Sequence, residues 1–322
     1  MQKLAVFLLE KKWLCLALIV ALYCVPYASC FGVLLALMYT LSYDLRNSVL
    51  ALAALLVPAI ALGFWQYQSL QWFIPLSIVF IWFSAWILQR FRSWSDVFNF
   101  AALFVIVLIP LIYLIKPDIQ STWLVFWAWV MNFIGMYVQS MDSLVSSAIP
   151  LSISGEWSNF ISYLASHHVN AFLAKISTGL LLSGYVLSGL CLLIVARAWY
   201  LWYKESGSVA LELRQIRLHI SATLALLLLL VSQHFNLIYR LDMLCALSIL
   251  FFLAGLSLVH DLAHWRGKPW IGLLIIYSLL TFLPKAMSVF LIVLACLDSM
   301  IDVRKKFKEV IDNANHSARK NS

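Results

Sequence analysis

The chain has 322 residues, of which 64% are hydrophobic and 11% charged, and its mean hydropathy is +0.93. Soluble domains carry about a quarter charged residues, so this composition excludes a single water-soluble core and predicts an all-α, polytopic transmembrane helix bundle. The net charge of +8 sits in short clusters between apolar runs; that is the pattern of cytoplasmic loops facing anionic lipid, and it argues against nucleic-acid binding.

Lys11 and Lys12 open an apolar run from Trp13 to Tyr43. Its basic flank and small residues before Cys30 resemble a signal peptide. However, Tyr27 is a poor lipobox residue and the run continues past Cys30, which predicts an uncleaved first helix. The run is too long for one upright span, and Pro26 divides it into spans at about 13–25 and 27–43. After "SYDLRN" come spans at about 48–65 and 72–89, separated by the uncharged "QYQSLQ". "QRFRSWSD", with Arg90 and Arg92, reads as a cytoplasmic loop. A span at about 97–115 ends at "KPD", and another begins at Trp123.

Residues 141–172 are Ser-rich and only moderately apolar. Within them Trp157, Phe160, Ile161, Leu164, Val169 and Phe172 favour one helical face, which predicts an amphipathic interfacial segment over about 150–172. A span at about 176–199 leads into a basic cytoplasmic loop over about 197–217, with Arg197, Lys204, Arg214 and Arg217. Spans at about 218–236 and 241–262 form a hairpin around "HFNLIYRLD". A final run from Trp270 to Leu297 is broken at Pro284-Lys285, and a basic tail over about 303–322 is expected in the cytoplasm. The inside–outside parity does not close across 141–172, so the total is about eight to ten spans within one integral-membrane domain, 1–322. The six cysteines all lie in apolar runs without a C-x-x-C pair, so no disulfide framework is implied.

Three polar features stand out. His260, Asp261 and His264 form H-D-x-x-H, and residues four apart share a helix face as zinc ligands must. Asp261 is a methylene shorter than the Glu of zinc hydrolases, and only Asp298 or Asp302 offers a third ligand. Beside Trp265, Arg266 and Lys268, the simpler reading is a helix end leaving the bilayer. Asp298 follows "SVFLIVLACL" at the end of the last span, where an unpaired carboxylate is costly. A paired base is expected: Arg304, or Arg197 or Arg217 from the preceding loop. Lys285 marks either an outer loop or a charge at a helix break, and the adjacent His167 and His168 cannot share one helical face. The chain has no Walker A, dinucleotide-binding or nucleophile-elbow motif, so any energised transport needs a separate ATPase module. No cofactor is expected.

In "ARAWYLWYKESGSVALELRQIRL", Ala196, Arg197, Tyr203, Gly207, Glu212, Arg217 and Leu218 stand at the places of a cytoplasmic loop typical of the YybS-like family of bacterial multi-pass membrane proteins, which the chain resembles. Asp298, Ser299, Asp302 and Arg304 match that family's D-S-W-x-D-F-R ending, with Met and Val in place of its aromatics, and "LQRFRSW" resembles a third step. The loop's aromatic pair, its Asn-Pro and one Gly have changed. The resemblance implies a multi-pass protein of the bacterial inner membrane. It is distantly similar to the substrate-capturing subunits of energy-coupling-factor transporters, which bind a small molecule and pack small residues against partner subunits. Ala17 and Ala21 have the spacing for such packing, as have many membrane helices. Three function classes follow: a small-molecule binding or transport-type subunit, a non-catalytic scaffold recruiting partners through its cytoplasmic loop and tail, and an intramembrane metal-dependent hydrolase built on His260 and His264.

Overall fold

The computed structural model describes residues 11–25, 27–66, 73–145, 167–204, 208–232, 238–265 and 269–310. Their secondary structure is helical, with no strand among the described residues. In chain order the helices are α1 (Lys12–Cys24), α2 (Ser29–Ser42), α3 (Leu45–Gln66), α4 (Phe73–Phe91), α5 (Trp94–Ile115) and α6 (Ile119–Val145). They continue with α7 (His167–Lys204), α8 (Val209–Leu213), α9 (Ile220–Val231), α10 (Arg240–Trp265), α11 (Pro269–Phe282) and α12 (Pro284–Ile301). Residues 303–310 are helical again.

The breaks follow local chemistry. Val25, which precedes Pro26, is extended at φ −89°, ψ 120°, as a residue before proline prefers. Tyr27 then takes a positive φ of 68°, and α2 starts two residues later. Pro284 sits in the first turn of α12, where its missing N–H costs nothing, so the last apolar run is two helices. Arg92, at φ 52°, ends the turn after α4, and Ser93 Oγ accepts the Asp96 N–H to start α5.

Among the described residues, five helices are long and apolar enough to cross a membrane: α4, α5, most of α7, α10 and α12. Shorter apolar helices account for Lys12–Cys24, Ser29–Ser42, Leu45–Ala61, Ile220–Val231 and Trp270–Phe282. The eight to ten spans expected from hydropathy therefore divide into full-length and short helices. Two expectations change at α7. The loop expected from residue 197 starts later, because no Gly or Pro stands between Gly189 and Lys204 to end the helix. The amphipathic segment expected over 150–172 lies mostly outside the described residues, and its end, 167–172, is the start of α7.

The chain forms two compact units: Met1–Phe104, Gly184–Leu227 and Leu247–Ser322 make the first, and Val105–Ser183 and Leu228–Ala246 the second. In the first, α1 to α4 pack on one another around Ile19, Leu37, Met38, Tyr39, Phe80 and Leu88, all fully buried. Phe80 and Phe83 of α4 meet Phe100 of α5 at centroid distances of 5.7 and 4.8 Å, within the range of favourable aromatic pairs. Gly255 lets α10 approach the backbone of α12 so closely that a Cβ there would overlap the Leu291 carbonyl. Small residues make such helix contacts in membranes, where packing rather than water drives association. The opposite faces are apolar and open. On α5, Leu103, Val107, Leu111 and Leu114 repeat at three- and four-residue spacing, a stripe suited to lipid.

Candidate functional site

After α7 the chain forms the short helix α8, a turn and an irregular stretch to His219. A partly buried stretch outside regular structure needs partners for its backbone groups. Four side chains from three helices supply them. Ser95 Oγ accepts the Arg217 N–H at 2.9 Å and donates to the Gln215 carbonyl at 2.9 Å. Asn99 Oδ1 accepts the His219 N–H at 2.6 Å. Ser257 donates to the Leu213 carbonyl at 2.7 Å. The Arg304 guanidinium donates to the Arg214 carbonyl and, at 2.7 Å, to the Ile216 carbonyl. The 208–219 segment is thus a fixed strap in the first unit.

Ion pairs surround this strap. Arg304 Nε lies 3.1 Å from Asp298 Oδ2, and the Arg304 N–H points to Asp298 Oδ1 at 3.4 Å. Six-residue spacing would separate these side chains on a continuous helix. They meet because α12 ends at Ile301 and Asp302 turns left-handed, at φ 52° and ψ 65°, which brings Arg304 back over the last turn. Asp261 of the H-D-x-x-H triplet is the second acid near Arg304, at 3.9 Å. The other two candidate bases pair elsewhere. Arg197, inside α7 rather than in a loop, holds Glu212 at 2.8 Å, and Trp94 Nε1 donates to the same carboxylate at 2.9 Å. Arg217 pairs with Asp302 at 2.9 Å and donates to the Ser299 carbonyl at 3.4 Å.

The H-D-x-x-H residues face different partners. His260 Nδ1 lies 2.9 Å from the Leu256 carbonyl, which only accepts, so Nδ1 carries the hydrogen. Nε2 is then the acceptor for the Tyr277 hydroxyl at 3.3 Å. Both ring nitrogens are engaged. His264 is exposed, and Asp261 turns to Arg304. Among the described residues no three His, Cys, Asp or Glu side chains group as a metal-ligand set. Lys285 is exposed in the first turn of α12. The side chains of His167 and His168 lie outside the described residues.

Beneath the strap is a cavity of about 340 Å³. Its walls are Leu187, Leu190, Cys191 and Ile194 of α7, Leu253, Leu256, Ser257 and His260 of α10, and Phe98 of α5; Ala210, Leu213, Arg214 and Ile216 of the strap line its remaining side. The volume falls at the small end of ligand pockets, roughly 300–1,000 Å³. Apolar walls with a few polar groups are the usual composition of such sites.

The second unit holds a polar cluster that sequence reasoning missed. Asp242, in the first turn of α10, is fully buried. Its carboxylate accepts the Tyr113 hydroxyl at 2.5 Å and the Gly179 N–H at 2.6 Å. Gly179 has no room for a Cβ, which would overlap the Asp242 backbone. Next to it Trp123 Nε1 donates to Thr178 at 2.9 Å and Trp127 Nε1 to Ser177 at 2.6 Å. The one sequence signal was an acid two residues into an apolar run, read instead as the end of a loop. No protein-family model, no curated protein and no solved structure matches the chain.

Proposed function

We propose that the chain is a membrane-embedded binding subunit for a small molecule, of the kind that serves transport without an ATPase of its own. The cavity under the strap carries this reading: it is lined by three helices long enough to span a bilayer and by a segment pinned through side-chain hydrogen bonds. Pre-formed walls favour binding because little ordering cost remains to be met when the ligand arrives. The resemblance to the YybS-like family supports the same class and a bacterial inner-membrane location, and the basic tail supports a cytoplasmic C-terminus. Partner subunits, including a separate ATPase module, fit a chain without a nucleotide motif. Native mass spectrometry of the detergent-purified protein tests the reading. A small molecule retained by the wild type and lost in Leu253→Trp, which fills the cavity, is the expected result. Equal retention in both would move the binding site elsewhere.

A second reading, a scaffold recruiting partners through the strap, has its own observation: Leu211 is 54% exposed on the ordered helix α8. Leu211→Asp would then abolish co-purification of a partner protein and leave the retained small molecule unchanged.

A further inference from the structure

The polar groups on the cavity wall are unequally engaged. Ser257 gives its hydrogen to the Leu213 carbonyl. His260 donates from Nδ1 to the Leu256 carbonyl and accepts the Tyr277 hydroxyl at Nε2, so its ring is neutral and both nitrogens are used. Arg214 differs. Its backbone carbonyl is held by Arg304, but its guanidinium has neither a hydrogen bond nor an ion pair among the described residues. The three other arginines of the strap region each hold a carboxylate: Arg197 holds Glu212, Arg217 holds Asp302 and Arg304 holds Asp298. The fourth acid, Asp261, lies 3.9 Å from Arg304, and the charge of Arg214 reaches it without contact. The cavity wall therefore carries a positive charge and a fork of N–H donors that no described residue takes up.

This charge stands at one end of the apolar space. The ends of α7 and α10 that meet the strap are marked by Arg197, bound to Glu212, and by Asp261, beside Arg304. Leu187 and Leu253 line the cavity ten and eight residues before them, so at 1.5 Å per residue the apolar wall runs back about 12–15 Å from the charged end. Leu187 and Cys191 are exposed on a helix apolar and long enough to cross a membrane, which gives an apolar chain access from lipid. The volume of about 340 Å³ suits one short chain rather than the two of a phospholipid. At the charged end, a half-buried guanidinium lacks both a counter-charge and acceptors. A carboxylate or phosphate supplies both at once, through two parallel N–H···O bonds. A cation would meet the charge of Arg214 uncompensated, and a hydrocarbon would leave its donors unpaired.

Resting on the binding reading above, we infer that the ligand is a single-chain amphipathic anion, with a carboxylate or phosphate head paired to the Arg214 guanidinium at the strap and an apolar chain lying along α7 and α10. Medium-chain carboxylates represent this class.

The test uses two photoreactive probes on the full chain in a non-ionic detergent at pH 8: a ten-carbon carboxylic acid carrying a diazirine, and the alcohol of the same length and diazirine position. Cross-linked peptides are mapped by mass spectrometry. The acid is expected to label the peptides holding Leu187–Ile194 and Leu253–His260 at least tenfold more than the alcohol. Arg214→Gln should bring that ratio to about one, and Arg214→Lys, which keeps the charge but not the fork, should leave it above one. Arg304 holds the backbone carbonyl of residue 214 and not its side chain, so both variants keep the strap's hydrogen bonds. Unlabelled decanoate in excess should displace the acid probe. Displacement by phosphatidylglycerol and not by decanoate would overturn the single-chain ligand in favour of a membrane lipid. A ratio of one in the wild type, or an unchanged ratio in Arg214→Gln, would overturn the anionic head and leave the cavity as a binding site. Labelling by neither probe there, with labelling on other helices, would overturn the binding reading itself.

Discussion

Asp298 and Arg304 form the most buried ion pair at the strap, with side chains only 3% and 12% exposed. Breaking a buried pair leaves the survivor desolvated, so Asp298→Ala should cost about 3–5 kcal/mol, read as a lower melting temperature in detergent. Arg304→Ala should cost at least as much, because its guanidinium also satisfies the Arg214 and Ile216 carbonyls. The double variant is expected to cost less than the sum, the signature of coupled residues. Additive losses would mean the two side chains act separately. Arg304→Lys should restore little, since an ammonium cannot present the planar fork that reaches two carbonyls and a carboxylate together. In the second unit, Tyr113→Phe removes one of the donors to the Asp242 carboxylate. Hydrogen bonds to charged groups are worth about 1.5–3 kcal/mol, and the melting temperature should fall accordingly. Gly179→Ala should cost about 1–3 kcal/mol by overpacking against the Asp242 backbone. If Gly179→Ala melted like wild type, the close approach of α7 and α10 in that unit would be wrong.

At the scale of elements, the left-handed residue after α12 decides whether Arg304 reaches its partners. Asn tolerates that conformation and a β-branched residue does not, the penalty being roughly 1–2 kcal/mol. Asp302→Asn should therefore lose only the partly exposed Arg217 pair, worth about 0–1 kcal/mol. Asp302→Val should lose that and the turn, with faster hydrogen exchange over 303–310. Equal exchange in the two variants would show that the turn does not position Arg304. This turn also explains what could be read in advance. The apolar runs and their punctuation by Pro26 and Pro284 made the helices legible, because hydropathy and the missing proline N–H act locally. Asp298 was legible as an acid needing a base, since its neighbours before it are apolar. Its partner was left open among three arginines, because helical spacing argues against Arg304 and nothing local marks Asp302 as left-handed. Asp242 was read only as the end of a loop. Its partners are 129 and 63 residues away, and only tertiary packing brings them together. The extent of α7 was misjudged for a related reason: Arg197 looked like a loop base, yet Glu212 and the Tyr200 ring receive its charge within the packed helix end.

For the whole molecule the open question is orientation, and α12 offers a direct measure of it. Its 18 residues, with Lys285 in the first turn and Asp302 just past the last, extend about 27 Å, close to the roughly 30 Å of a bilayer core. A crossing α12 would place its two ends on opposite sides. The end after Asp302 carries Arg304, Lys305, Lys306 and Lys308, whereas the end at Pro284 carries a single lysine. An excess of Lys and Arg holds a segment in the cytoplasm. Ser208, at the start of the strap, should share that side, since Arg304 holds the Arg214 and Ile216 carbonyls of the same strap. Single cysteines at Lys285, Ser208 and Glu309 test this, placed in a background with the six native cysteines changed to alanine. Each of these positions is exposed, so labelling reports the side of the membrane rather than burial. A membrane-impermeant maleimide applied to intact cells should label Lys285→Cys and spare Ser208→Cys and Glu309→Cys until the membrane is opened. Labelling of Glu309→Cys from outside would invert the whole orientation. Labelling of Lys285→Cys only after permeabilisation, together with the other two, would mean that α12 does not cross. The strap and its cavity would then not lie at the cytoplasmic end of a spanning helix.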